Sequence, residues 1–132
     1  MNHVLNSDRP DKVALVEGDN AFTYAQIEHC IVHFASGLLA GRGDLKEARV
    51  AFLIPAGVDY VTALHGVWRA GGIAIPLNVA SAESEWEHCL TSAGVTQVIA
   101  DEQTFGSIEG LCKRLSIPCL LYTSDAADDT LC

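Results

Sequence analysis

Two histidines four residues apart, His29 and His33 in "HCIVH", are of a type and spacing that could do chemistry. On a helix, imidazoles at i and i+4 can both reach one zinc ion. The glutamate of a hydrolytic zinc helix is missing, with Cys30 in its place, and no third ligand is assured. Both histidines flank an apolar stripe, where partly exposed imidazoles are ordinary, so no metal site is expected. Cys89 follows His88 and could suggest an activated thiol, but neighbours on a helix point about 100° apart. Cys89 falls instead on an inward stripe with Trp86 and Leu90. Asp101 ends the run "VTQVIA", at the strand end where open α/β sheets hold ligands. An aspartate there equally serves a turn's backbone, and it is not assigned a catalytic role. Gly41-Arg42-Gly43 follows a helical pattern and lacks the third glycine of a dinucleotide loop. None of these residues is assigned as a catalytic, cofactor-binding or metal-ligating group.

The elements that must position them are legible from period and punctuation. In "VALVEGDNAFTY", two short apolar runs flank Glu17-Gly18-Asp19-Asn20, the pattern of a β-hairpin. Thr23 and Gln26 have capping-box spacing and start a helix whose stripe is Ile27, Ile31, Phe34, Ala35 and Leu38, with Gly41 as its left-handed end. Val50 to Ile54 is too short for a helix and too uniformly apolar for a strand with one wet face, so a strand covered on both sides is expected. A helix over "VDYVTALHGVWRAGG" follows, with Val61, Leu64, Val67 and Trp68 inward, Asp59 near its positive end and Gly71-Gly72 as terminator. "IAIPLN" reads as a buried strand. "SAESEWEHCLTSAG" reads as a helix capped by Ser81, "VTQVIAD" as a strand, "QTFGSIEGLCKRL" as a helix weakened by Gly106 and Gly110, and "IPCLLY" as a last short strand. Alternation of this kind predicts an α/β fold: an N-terminal hairpin, then a mostly parallel, doubly wound sheet.

Composition bounds the function classes. The 132 residues are 49% apolar and carry a formal charge of −9, without clustered Lys or Arg, which argues against a nucleic-acid partner. No apolar run approaches the roughly 20 residues of a membrane span, and the N-terminus lacks the order of a secretory signal, so a cytoplasmic location is expected. Five scattered cysteines suit reduced thiols better than a disulfide framework.

Two segments carry a more specific signal: "FTYAQIE", Phe22 to Glu28, and "VWRAGGIAIPLN", Val67 to Asn78. They resemble the first two core motifs of the adenylate-forming (AMP-binding) superfamily of acyl-CoA synthetases, luciferases and peptide-synthetase adenylation domains. The likeness runs from Arg9 to about Ala100. It implies the N-terminal subdomain of an enzyme that activates a carboxylic acid with ATP and Mg²⁺ to an acyl-adenylate and passes it to coenzyme A, as in fatty acid metabolism. Asn78, where amino-acid adenylation domains more often carry Asp, tilts the resemblance toward an acid–CoA ligase.

In that family the ATP loop opens Tyr-Thr-Ser-Gly. Here Tyr122-Thr123-Ser124 runs into Asp125, and the glycines and lysine of such a loop are absent. Carboxylates would repel a polyphosphate. The expectation is therefore a partial subdomain over residues 1–118 and a non-native or disordered acidic tail over 119–132, which looks like translated adapter sequence. Such a truncated ligase, missing its C-terminal part, should be inactive and bind no cofactor by itself. The alternative is a small self-contained α/β binding or regulatory module.

Overall fold

The computed structural model describes residues 10–123. Strands β1 (Val13–Glu17) and β2 (Asn20–Thr23) form the expected antiparallel hairpin. Helix α1 (Tyr24–Leu39) starts at the predicted box: Thr23 Oγ1 accepts from the Gln26 amide at 3.1 Å, and Gln26 Oε1 accepts from the Thr23 amide at 2.8 Å. Its end differs from expectation. Ala40 itself takes the left-handed conformation, at φ 49°, ahead of Gly41 at φ 91°.

From β3 (Arg49–Leu53) onward, strand and helix alternate through α2 (Val58–Arg69), β4 (Ile73–Pro76), α3 (Glu83–Ser92), β5 (Gln97–Ala100), α4 (Phe105–Leu115) and β6 (Cys119–Leu121). The four strands make one parallel sheet in the order β4-β3-β5-β6. The doubly wound parallel architecture is as predicted. The period-2 alternation of β3 divides its apolar run between two cores. Val50, Phe52 and Ile54 face α1 and α2 with Ala63 and Val67. Ala51 and Leu53 face α3 and α4 with Trp86, Leu90, Ile108 and Leu111.

Several details depart from the sequence-based expectation. Strand β4 lies at the sheet edge and is not fully buried, with Ile73 40% exposed. The buried stripe of α2 is Thr62, Ala63, Gly66 and Val67, while Val61, Leu64 and Trp68 are half-buried. Small side chains win because α1 packs close: a Cβ on Gly66 would collide with the Phe34 ring. Helix α3 begins after Ala82, whose amide donates to Glu85 Oε1 at 3.3 Å, one residue beyond the expected Ser81 cap. Gly106 and Gly110 do not interrupt α4, because both lie on its exposed face. Cys89, Cys112 and Cys119 are free thiols, whereas Cys30 is disulfide-bonded, contrary to the expectation of reduced cysteines throughout.

The sheet also continues past the boundary expected after residue 118. Cys119–Leu121 pair with β5, the Tyr122 amide donates to the Ala100 carbonyl at 2.8 Å, and the Tyr122 ring meets Phe34 edge-on at 5.3 Å. The acidic run expected to form a tail, from Ser124 onward, lies outside the described residues.

Candidate functional site

In this strand order the chain leaves β3 toward one face of the sheet and β5 toward the other. A crevice opens between their carboxyl ends, the position at which doubly wound sheets hold ligands. Two depressions lie along this edge. One, of about 170 Å³, is lined by Asp59, Asp101, Glu102, Gln103, Tyr122 and Thr123. The other, of about 340 Å³, is more apolar and is lined by Ile54, Pro55, Tyr60, Pro76 and Asn78 among others.

The acidic depression is built by caps. Asp101 Oδ1 accepts from the amides of Gln103 at 3.0 Å and Thr104 at 3.1 Å, so this carboxylate holds the turn that leads into α4. The Thr104 hydroxyl sits between the Asp101 carboxylate and the Leu53 carbonyl and ties the two central strands' ends together. Across the crevice, Gly57 opens α2 at φ 153°, and the Val58 amide donates to Glu17 Oε1 at 2.7 Å. A Cβ on Gly57 would strike that carboxylate, so glycine is what lets the hairpin cap the helix. Asp59 stands in the same first turn. Burial, then the Glu17 and Asp101 carboxylates, push its pKa up. The Tyr122 hydroxyl is buried and, among the described residues, has no hydrogen-bond partner. Burial and then Asp59 push its pKa well up, so it stays a neutral donor.

The carboxyls of Asp59, Asp101 and Glu102 line this depression, and no Lys or Arg does. It does not fit a nucleotide polyphosphate, and no step of ATP chemistry is derived through it.

The other sequence candidates separate from this edge. His29 and His33 stand exposed on α1. Cys89 is half-buried against the second core, while His88 is exposed, so they form no nucleophilic pair. In the Gly41-Arg42-Gly43 stretch, Arg42 donates from its amide to the Leu39 carbonyl at 3.0 Å and so closes α1. Asp101 holds the turn before α4, as its turn role predicts. Sequence reasoning missed Glu17, Tyr122 and the raised pKa of Asp59. The available signal was Gly57 opening a helix without a capping side chain of its own, which asks for a donor's partner from elsewhere.

The two motif segments meet in space. Arg69 clasps Glu28 in a bidentate pair, Nη1 to Oε2 at 2.7 Å and Nη2 to Oε1 at 3.0 Å, half-sheltered between α1 and α2. Gly71, at φ 88°, and Gly72 let the next turn run against Asp44, Leu45 and Ala48, where added side chains would collide.

The AMP-binding enzyme family matches residues 4–131. A mitochondrial malonate–CoA ligase of Mus musculus is 29% identical over 117 residues, covering 86% of this chain and 20% of that protein. A benzoate CoA ligase from Burkholderia xenovorans LB400 superposes with a TM-score of 0.78 at 22% identity, over 90% of this chain and 24% of that one. The o-succinylbenzoate coenzyme A synthetase of Bacillus subtilis, solved with ATP and magnesium, gives 0.74 at 22% identity over 86% of this chain and 30% of that one. The chain thus spans about a fifth of the length of the curated relatives it matches.

Proposed function

The chain belongs to the AMP-binding enzyme family, and from that premise we propose that it is the N-terminal part of an acid–CoA ligase. The whole enzyme would join a carboxylic acid to ATP as an acyl-adenylate, releasing pyrophosphate, and transfer the acyl group to coenzyme A, releasing AMP, with Mg²⁺ as the nucleotide's counter-ion. One observation carries this reading: the segments around Thr23 and Gly71, which match the family's motifs, are locked together by the Glu28–Arg69 pair and the Phe34–Gly66 contact. These residues build the frame on which two layers pack and do no chemistry themselves.

The acidic lining of the carboxyl-edge depression supports the further proposal that these 132 residues neither bind ATP nor turn over. Nucleotide binding would then belong to the length of the relatives that this chain does not span. The boundary between the ligase part and a non-native tail belongs to the same proposal, and the β6 pairing supports placing it after Thr123 and not after residue 118. So does the cytoplasmic compartment, for which the free thiols of Cys89, Cys112 and Cys119 speak and the Cys30 disulfide does not. Among the described residues no helix is long and apolar enough to cross a membrane.

ATP–pyrophosphate exchange with a panel of malonate, benzoate, ferulate and fatty acids tests both parts. The expected result is exchange by the product of the full genomic reading frame with at least one acid, and none by the 132-residue chain. Turnover by the short chain would refute its inactivity, and silence of the full product across the panel would refute the ligase reading.

A further inference from the structure

Helix α1 buries one stripe, Ile27, Ile31, Phe34 and Leu38, and turns His29 and His33 to the other side. Residues one turn apart meet side by side. The two imidazole rings lie 13° from parallel with centroids 6.4 Å apart. Zinc–nitrogen bonds of about 2.0–2.1 Å at a tetrahedral angle ask for donor nitrogens about 3.3 Å apart. Both rings are exposed, so they are free to rotate about their own side-chain bonds toward a shared ion. Imidazole suits Zn²⁺ and its neighbours in the first transition row, and a chain of charge −9 draws cations to its surface.

We propose that His29 and His33 form a bidentate clip for a divalent transition-metal cation of the Zn²⁺ class. Among the described residues no group of three or more His, Cys, Asp or Glu is placed to hold a metal, so water fills the remaining positions. The clip lies on the exposed side of α1 and is independent of the ligase reading.

Titration of the full 132-residue chain with Zn²⁺ against a chromophoric chelator tests it. Loss of either ring removes a ligand. His29→Ala and His33→Ala should therefore each weaken binding by at least the about tenfold that loss of an outer-shell partner costs in metal sites. The double variant should lose little more than either single one. His88→Ala removes an exposed histidine on α3 with no histidine one turn away, and should leave the affinity within about twofold of the parent. All four variants share the parent's thiols, so the differences report the histidines, and circular dichroism checks that each variant is folded. No measurable binding by the parent, unchanged binding in His29→Ala or His33→Ala, or equal weakening in His88→Ala would overturn the proposal.

Discussion

At the scale of single residues, the carboxyl edge is governed by where carboxylates find donors. Glu17 caps α2 and Asp101 holds the turn before α4, while Asp59 has its pKa raised by burial first and by those two charges second. Its folded pKa lies above the unfolded value of 3.8, so its contribution to stability is fully present below that pH. That contribution is lost as pH rises through the folded pKa, because the unfolded chain releases the proton first. Asp59→Asn should therefore raise the urea midpoint at pH 7 and change it little near pH 3. A higher midpoint for the parent at pH 7 would contradict this. Asp59 was legible in the sequence only as a helix-dipole partner, since nothing local tells that Glu17 and Asp101 converge on it. The remote cap itself is testable. Glu17→Ala should cost about 1 kcal/mol, the usual worth of an N-cap. Gly57→Ala should cost more, because the added carbon meets the carboxylate.

Elements were legible where pattern and punctuation agreed. The capping box of α1, the two-faced β3 and the alternation of strands and helices follow directly from Thr23, Gln26 and the run Val50 to Ile54. Where expectation failed, tertiary contact overrode local pattern: α2 turns its small residues inward because Phe34 occupies the space above Gly66. In α4 the glycines looked like breakers, yet their side faces open space. Gly106→Ala and Gly110→Ala should each stabilise the chain, by up to about 1 kcal/mol, read as a higher denaturation midpoint. Left-handed non-glycine residues offer the converse. Lys46 and Glu47, at φ 54° and 63°, are held by the Asp44 carboxylate and the Gly71 carbonyl. Glu47→Gly should relieve about 1 kcal/mol of backbone strain while keeping the amide's bond to Gly71.

For the molecule as a whole, the layered architecture was readable and the strand order was not, because strand twist fixes the handedness of each crossover but leaves neighbours open. The order leaves β6 at one edge of the sheet, with Leu120 and Leu121 44% and 50% exposed. An apolar edge strand invites pairing with another chain. Leu121→Lys should lower the mass seen by light scattering at high concentration while leaving the thermal midpoint nearly unchanged, and an unchanged mass would show that this edge does not drive association. The Glu17–Val58 bond bears on a different matter, the order of events during synthesis. Its two partners are 41 positions apart, so a chain leaving the ribosome completes its hairpin well before the amide that anchors it has emerged. The hairpin is thus made before the contact that ties it to α2 can form.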